Sequence, residues 1–207
     1  MTRLTVISAG LSQPSSTRLL GERLADATGS SIEAGGGTVE IEVIELRDLA
    51  HDVVNNVLTG FPPPALARVL EQIAQADALI AVTPIFNASY SGLFKSFFDV
   101  LSPDSLRGKP VLIGATGGSQ RHSLALEHAV RPLFSYLHAV VVPTSVYAAS
   151  PDWGSAAGSR ELAERVDRAG AELAGLLTRT GLAEPARATG PVDPFANPPS
   201  FLDLLGR

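Results

Sequence analysis

The sequence predicts an α/β domain with a doubly wound parallel sheet. Short β-rich runs alternate with amphipathic helical segments along most of the 207 residues. One of the runs, residues 78–83, is a continuous apolar strand, which is typical of the centre of a parallel sheet. The hydrophobic content of 45% suits one core rather than two.

Five runs are predicted as strands. They comprise residues 4–8 (LTVIS), 39–46 (VEIEVIEL), 78–83 (ALIAVT), 110–116 (PVLIGAT) and 139–147 (AVVVPTSVY). The second run alternates apolar with charged residues, and this pattern favours a place nearer to an edge of the sheet.

Five helical segments follow these strands in turn. They comprise residues 17–28, 64–75, 92–101, 124–137 and 156–177. In the first segment Leu20, Leu24 and Ala27 fall on one helical face. Residues 29–38 are predicted as a loop of small residues. Strands and helices that alternate in this way predict a five-stranded sheet with the flavodoxin-like order 2-1-3-4-5.

This strand order also predicts where a ligand binds. In doubly wound sheets, ligands lie outside the carboxyl ends of the strands, where the order reverses. The loops after Ser8, Thr83 and Thr116 follow the first, third and fourth predicted strands, which are neighbours in this order. We therefore expect these three loops to share one site.

The domain is expected to span residues 1–180, and residues 181–207 form a Pro- and Gly-rich C-terminal tail. Residues 181–199 contain five prolines and few residues suited to a core. The tail ends in the apolar segment 201–205 (FLDLL). It is either a frayed terminus or a short amphipathic hook that docks on its own domain or on a partner subunit.

Composition excludes several classes of function. The formal net charge is −5 and no basic stripe appears, so we expect no nucleic-acid partner. The absence of cysteine excludes disulfides, thiolate metal sites and a cysteine nucleophile, and it fits the reducing cytoplasm. No run reaches the ~18 apolar residues that cross a bilayer, and the start resembles a strand rather than a signal peptide. We therefore expect a cytoplasmic protein with no membrane partner and no metal.

The first loop, residues 8–17, predicts a phosphate site. It supplies five hydroxyls directly before and within the start of a helix: Ser8, Ser12, Ser15, Ser16 and Thr17. A helix N-terminus adds unpaired N–H groups and a partial positive charge, which suit a phosphate monoester. The loop contains neither G-x-G-x-x-G nor a Walker A pattern. The alternative is that one hydroxyl only caps the helix.

The second loop predicts a wall for a planar heterocycle. It offers backbone groups for the polar edge of a ring and apolar atoms for its faces. Its candidate residues are Pro84, Ile85, Phe86, Asn87, Ala88 and Ser89. The alternative is that the aromatic residues of this loop are ordinary packing residues.

The third loop contains paired glycines at a strand end. Glycines there allow the backbone to approach a ligand closely. The candidate residues are Thr116, Gly117, Gly118 and Ser119. The alternative is a tight structural turn.

Three motifs make a family resemblance specific. They are residues 83–101 (TPIFNASYSGLFKSFFDVL), 108–124 (GKPVLIGATGGSQRHSL) and 131–137 (RPLFSYL). With them the chain resembles, over residues 3–178, the NADPH-dependent FMN reductase family of flavodoxin-like proteins. Within that family it is similar to the branch that supplies reduced FMN to two-component monooxygenases.

The resemblance implies residue roles and an assembly. It implies phosphate contacts from Ser8, Ser15, Ser16 and Thr17, isoalloxazine contacts from residues 84–89, and further flavin contacts from residues 117–119. It also implies a homodimer or tetramer, with each flavin near a subunit interface, and a flavin-dependent monooxygenase as a partner.

The chain departs from the family pattern in the first loop. Many relatives carry an arginine there in an S-x-R pattern, whereas this chain has Ser12, Gln13 and Pro14, and Arg18 follows on the helix. Phosphate binding would then depend on hydroxyls and backbone, so that FMN would be held only moderately, as a released product would be.

Further residues have two interpretations each. Arg121 and His122 either bind the 2′-phosphate of NADPH or belong to a solvated loop. Lys95 and Asp99 either form an ordinary helical ion pair, or Lys95 approaches a flavin across the dimer. The density of phenylalanine at positions 94, 97 and 98 favours a buried dimer face.

The predicted function is an NAD(P)H-dependent FMN reductase, with FMN and NADPH or NADH as its ligands. The nicotinamide stacks on the flavin and passes a hydride from C4 to N5, and no protein acid or base is expected to be essential. One alternative is a quinone or azo-dye reductase with tightly held FMN. Another is a flavodoxin-type electron carrier, although the strongly acidic face that carriers usually have is missing.

Overall fold

A computed structural model describes residues 1–102 and 104–180 of the chain. Residues 1–177 form one compact unit, and a second unit begins at Thr178. The predicted tail, residues 181–207, lies outside the described residues, so both interpretations of it stay predictions.

The described residues contain one mainly parallel sheet. Its strands are β1 (Thr2–Ser8), β2 (Val39–Glu45), β3 (Ala78–Phe86), β4 (Ser89–Tyr90), β5 (Pro110–Gly117), β6 (Val140–Val141) and β7 (Val146–Ala149). The order is β2-β1-β3-β5-β6, with β7 also paired to β5 and the short β4 antiparallel to β3. The alternating run that was expected near an edge is the edge strand β2.

The α/β class is confirmed, but the prediction of five strands in the order 2-1-3-4-5 is correct only in part. The predicted strand 139–147 is two strands, because Pro143 cannot donate a backbone hydrogen bond and the chain bends there. Arg131 donates to the carbonyl oxygens of Val142 (3.0 Å) and Pro143 (3.1 Å) at this bend. Both pieces pair with β5, and β4 is the return of a hairpin that was predicted as loop.

The helices surround the sheet. The α-helices are α1 (Ser16–Ala34), α2 (Ala50–Thr59), α3 (Pro64–Gln75), α4 (Gly92–Asp99), α5 (Arg131–Tyr136), α6 (Ser150–Gly154) and α7 (Ala156–Thr180). Short 3₁₀ turns span Leu46–Leu49 and Gln120–His122, and a π-helical turn spans Leu126–Val130 before α5.

Helix α1 corrects one sequence prediction. Residues 29–34 were predicted as loop but continue the helix, since Thr28, Gly29 and Ile32 extend its buried face. Gly29 is tolerated within the helix because a side chain there would press on β2: a Cβ would lie 3.3 Å from Val39 Cγ1.

The core lies in two layers, one on each face of the sheet. One layer packs α1 and α7 against the sheet through Leu20, Leu24, Leu162 and Leu173. The other layer contains the phenylalanines of α4, at positions 94, 97 and 98, packed with Phe134. The ring centroid of Phe98 lies 4.7 Å from the ring centroid of Phe94 and 4.9 Å from that of Phe134. The expectation that these phenylalanines form a dimer face is wrong, because they fill the core of their own chain.

Strand register brings the three loops to one edge. Ser8, the last residue of β1, pairs with Val82 of β3, and Pro84 of β3 pairs with Thr116 of β5. The carboxyl ends of β1, β3 and β5 therefore lie side by side, as the sequence predicted.

Candidate functional site

An open cavity of about 1050 Å³ lies at this edge of the sheet. All three loops contribute to it. Its lining consists of Leu11, Ser12, Gln13, Pro14, Ser15, Ser16, Thr17, Arg18, Leu19, Glu22, Glu45, Pro84, Ile85, Phe86, Thr116, Gly117, Gly118, Ser150 and Trp153.

The N-terminus of α1 forms one end of the cavity. Ser15 is the cap residue, and its hydroxyl accepts a hydrogen bond from the N–H of Arg18 at 3.2 Å. The N–H groups of Ser16 and Thr17 have no acceptor within the helix, as is general for a first turn. The turn therefore presents hydroxyls and N–H groups together, which is the donor set that a phosphate monoester requires.

Gly10 allows this loop to fold tightly over the start of the helix. A Cβ at Gly10 would lie 2.0 Å from Ser15 Oγ and 3.1 Å from Thr17 Cβ. Any side chain at position 10 would therefore displace the cap residue and the first turn.

A buried hydrogen bond joins the first loop to the third. The hydroxyls of Thr17 and Thr116 lie 2.8 Å apart, and either of them could be the donor. Both residues are almost fully buried. The phosphate end of the cavity is thereby tied to the strand that carries the paired glycines.

The second loop forms an apolar wall. Pro84 and Ile85 line the cavity together with Phe86, whose side chain is 47% exposed. The Thr83 hydroxyl fixes the base of the wall, because it donates to the Pro84 carbonyl at 2.9 Å and accepts from the Ser91 N–H at 3.1 Å.

The wall ends in the hairpin turn between β3 and β4. Asn87 and Ala88 occupy the left-handed region there, with φ angles of 49° and 68°. Neither residue lines the cavity, nor does Ser89, which pairs with Phe86 in the hairpin.

The third loop lies against Tyr147 of β7. A Cβ at Gly117 would lie 2.2 Å from the Tyr147 hydroxyl oxygen, so only glycine fits there without movement. The Tyr147 hydroxyl donates to the Ser119 carbonyl at 2.8 Å. Burial, and secondly the carboxylate of Asp152, raises the pKa of Tyr147. Thr116, Gly117 and Gly118 line the cavity, whereas Ser119 does not.

Arg18 is the one cation among the described residues that line the cavity. Its guanidinium pairs with Glu22 at 2.8 Å and with Glu45 at 2.5 Å. The hydrogen bonds to Glu22 and Glu45 raise the pKa of Arg18 further. Position 18 thus supplies the cationic side chain that the first loop lacks, but two carboxylates already neutralise it.

Other predicted residues do not reach the cavity. Ser8 is fully buried, and its Oγ has no hydrogen-bond partner within the described part of the chain. Arg121 and His122 lie exposed on the 3₁₀ turn after the glycines. Lys95 forms an exposed ion pair with Asp99 at 2.5 Å, as the simpler interpretation predicted.

Trp153 and Ser150 of α6 line the cavity and were not predicted. Sequence reasoning missed α6 because it has only five residues. A signal was present, since Pro151 and Asp152 are typical of the first turn of a helix.

Across residues 1–102 and 104–180, no three His, Cys, Asp or Glu side chains are grouped so that they could hold a metal ion. In the same residues, no helix has the length and hydropathy that crossing a bilayer requires.

The fold and the position of the cavity define a flavodoxin-like protein of the doubly wound class. Solved structures agree, and even an archaeal flavodoxin at 16% identity matches with a TM-score of 0.53 over 86% of this chain and 99% of its own. The model of the family described as NADPH-dependent FMN reductase matches residues 2–154. The chain therefore belongs to the NADPH-dependent FMN reductase family, as its motifs indicated.

Curated relatives cover most of the domain. An FMN reductase (NADPH) of Pseudomonas aeruginosa is 36% identical over 151 residues, which are 73% of this chain and 78% of the relative. An NADH-dependent FMN reductase, SfnF, of Pseudomonas fluorescens is 37% identical over 151 residues, which are again 73% of this chain and 78% of the relative. The two names differ in the nicotinamide nucleotide.

Solved structures of relatives cover the domain as well. An oxidoreductase of Corynebacterium diphtheriae matches with a TM-score of 0.83 and 45% identity, over 86% of this chain and 98% of its own. The apo form of an NADH:FMN oxidoreductase, EmoB, matches with a TM-score of 0.70 and 27% identity, over 82% and 89%.

Proposed function

We propose that this chain is an NAD(P)H:FMN oxidoreductase that binds FMN in the cavity at the carboxyl edge of the sheet. The observation that carries the proposal is that a first turn rich in hydroxyls and an apolar wall share one cavity. The bound flavin ring supplies the electron chemistry: a hydride leaves C4 of the nicotinamide for N5 of the ring, so NAD(P)H is oxidised as FMN is reduced.

The phosphate binds at the N-terminus of α1 in this proposal. Ser12, Ser15, Ser16 and Thr17 supply hydroxyls, and the first-turn N–H groups add donors and the positive end of the helix dipole. The close packing of Gly10 on Ser15 holds these donors in place before a ligand arrives.

The second and third loops would hold the ring. Pro84, Ile85 and Phe86 would contact its faces, and Gly117 and Gly118 would let the backbone approach its polar edge. The ionisable side chains in the described lining are Arg18, Glu22 and Glu45, and both glutamates pair with Arg18. The chain therefore contributes position and electrostatics to the reaction rather than a proton donor or acceptor.

Moderate FMN affinity follows from the charges. A phosphate dianion meets one guanidinium and two carboxylates, which together carry a charge of −1. Hydroxyls and N–H groups must supply most of the attraction. This arrangement favours FMN as a released substrate, which would suit delivery of reduced FMN to a flavin-dependent monooxygenase.

The double variant S15A/S16A tests the phosphate assignment. Loss of two hydroxyl donors to a charged group should raise the FMN dissociation constant by at least ~10-fold. Riboflavin lacks the phosphate, so its dissociation constant should change little. Isothermal titration with both ligands measures the effect, at a temperature well below the melting point because Ser15 also caps α1.

The matched control is S30A/S31A, which removes two serines from the other end of the same helix. It should bind FMN as the wild type does. An unchanged FMN dissociation constant in S15A/S16A, or equal losses for FMN and riboflavin, would contradict the assignment.

A quinone or azo-dye reductase is the second candidate. It is favoured by a Staphylococcus haemolyticus relative named FMN-dependent NADPH-azoreductase, which is 30% identical over 118 residues, 53% of this chain and 62% of the relative. A colourless purified protein that oxidises NAD(P)H when FMN is added supports the FMN reductase. A yellow protein that reduces quinones or azo dyes supports the alternative, and a yellow protein inert to both nucleotides supports an electron carrier.

We also propose that the protein works in the cytoplasm as a homodimer or tetramer. The absence of cysteine fits a reducing compartment. An exposed groove between α4 and α5 is lined by Tyr90, Leu133 and Tyr136 together with Lys95, Asp99 and His128, and Tyr136 is 82% exposed. The apolar part of this groove favours an interface. Size-exclusion chromatography with light scattering tests the proposal.

A further inference from the structure

The cavity has a side that neither the phosphate nor the flavin ring accounts for. Leu19, Ser150 and Trp153 line it, and none of them belongs to the three loops. Trp153 is the single tryptophan of the chain. Its side chain is half-buried, so part of the indole remains available to a ligand.

A contact with Arg23 fixes the position of this indole. The Arg23 guanidinium carbon lies over the ring, 4.9 Å from its centroid, and this cation–π contact covers one face. The surface of the ring that lines the cavity must therefore be the opposite face or the edge.

The neighbouring Asp152 anchors the short helix that carries Trp153. Asp152 is buried, and its carboxylate accepts from the Ala149 N–H at 2.8 Å and from the Gln120 amide at 3.4 Å. Arg165 lies 3.7 Å from the same carboxylate. The indole is thus positioned before any ligand binds, which lowers the entropic cost of stacking a ring against it.

The size of the cavity agrees with more than one ligand. Its volume of about 1050 Å³ is at or above the upper end, roughly 1000 Å³, of sites for a single drug-sized ligand. The reaction brings together two molecules with three ring systems: the flavin, the nicotinamide and the adenine. The flavin and the nicotinamide must stack on each other at the wall, which leaves the adenine without a partner there.

We propose that Trp153 stacks against the adenine of NAD(P)H, and that Leu19 and Ser150 complete an adenosine subsite. Ser150 offers a hydroxyl to the ribose hydroxyl groups of the nucleotide. This proposal rests on the proposed function. It replaces Arg121 and His122 as the residues nearest to the adenosine half, since both lie off the cavity.

The test compares dinucleotides with reduced nicotinamide mononucleotide, which transfers the same hydride but has no adenosine. In W153A, the KM for NADH and for NADPH should rise about tenfold relative to the KM for the mononucleotide, as expected for one lost base–aromatic stack. W153F keeps an aromatic ring, so the ratio of the dinucleotide KM to the mononucleotide KM should return most of the way to its wild-type value. F61A removes an exposed aromatic side chain outside the cavity and should leave the ratio at its wild-type value.

A second measurement is independent of activity. Titration of the FMN-free protein with ADP-ribose should change the emission of Trp153, and circular dichroism with thermal melting confirms that each variant is folded. The proposal is overturned if the KM ratio in W153A is unchanged, if W153A raises the FMN dissociation constant instead, or if ADP-ribose leaves the emission unaltered. A wild type that oxidises neither nucleotide would refute the proposed function, and the ADP-ribose titration would still decide whether an adenosine subsite exists.

Discussion

Gly117, the last residue of β5, packs against the side chain of Tyr147 in β7. The 2.2 Å that would separate a Cβ from the Tyr147 hydroxyl oxygen is far inside van der Waals contact. The same hydroxyl holds the Ser119 carbonyl. Because Gly117 has no Cβ, the Tyr147 side chain can reach the third loop, which is expected to approach the flavin.

The variant G117A should weaken both stability and FMN binding. The added methyl displaces Tyr147 from Ser119, and overpacking of this kind costs about 1–3 kcal/mol. Urea unfolding measures the stability and fluorescence titration measures FMN affinity. The control G92A places a methyl in open space at the start of α4 and should be neutral or slightly stabilising.

Removal of the Tyr147 hydroxyl sharpens this test. In G117A/Y147F the atom that the methyl meets first is absent, so part of the lost stability should return. A double variant no more stable than G117A would show that the contact with Tyr147 is not the cause.

Lys109 is a second residue whose surroundings change a measurable property, the pKa of its ammonium group. Its ammonium is buried at the C-terminus of α3, where it donates to the carbonyl oxygens of Ile73, Ala74 and Ala76. Burial lowers the pKa of Lys109 from 10.5 to about 8, while the charge of Asp77 acts in the opposite direction.

The pKa of Lys109 predicts how stability depends on pH. Between about 8 and 10.5 the unfolded chain binds this proton and the folded chain does not. The free energy of unfolding of the wild type should therefore rise with pH in this range, relative to K109M, by roughly 1 kcal/mol per pH unit. Below pH 8 the difference should be constant, and there K109M should be less stable by ~1–3 kcal/mol because three carbonyl groups lose their donor.

Urea unfolding at a series of pH values measures this difference. The exposed Lys95 provides the control, since its ion pair with Asp99 lies at the surface. K95M should differ from the wild type by less than ~1 kcal/mol at neutral pH. A difference between the wild type and K109M that stays constant across the alkaline range would contradict the lowered pKa.

At the scale of elements, the β3–β4 hairpin stores backbone strain beside the cavity wall. Ala88 has a φ of 68°, a region that disfavours a residue with a Cβ. Glycine accepts this conformation, so A88G should stabilise the protein by about 1 kcal/mol. A163G, at an exposed position within α7, should instead destabilise it by a similar amount. Thermal unfolding gives both values, and a destabilising A88G would contradict the strain.

The elements that sequence predicts well are those with a regular pattern. Helix α3 begins and ends as predicted, because its apolar stripe is regular and Pro64 suits a first turn. The prediction failed where tertiary packing decides. Helix α2 was missed because only Val53 and Asn56 of it are buried, whereas Val54 and Val57 are exposed and obscure the periodicity. The break in the last predicted strand lies at Pro143, and Arg131 satisfies the carbonyl groups at the bend.

At the scale of the whole molecule, the sequence predicted the edge of the sheet but not the full outline of the cavity. The hydroxyl loop, the apolar wall and the glycines meet as the strand order required, since parallel strands end together. Glu45 and Trp153 were not among the predicted residues. Glu45 ends β2 and pairs with Ser8, so the same argument from strand order places it at this edge. Trp153 belongs to α6, which follows β7 and was not predicted as a helix.

The hydroxyl pair of Thr17 and Thr116 connects the two halves of the cavity through one buried hydrogen bond. We therefore expect a ligand group that contacts one loop to affect the other as well. Thermodynamic linkage makes this reciprocal: inorganic phosphate at the helix N-terminus should raise the affinity for riboflavin by the same factor by which riboflavin raises the affinity for phosphate. Intact FMN carries both the phosphate and the ring. It would therefore bind more tightly than the separate affinities for inorganic phosphate and riboflavin predict.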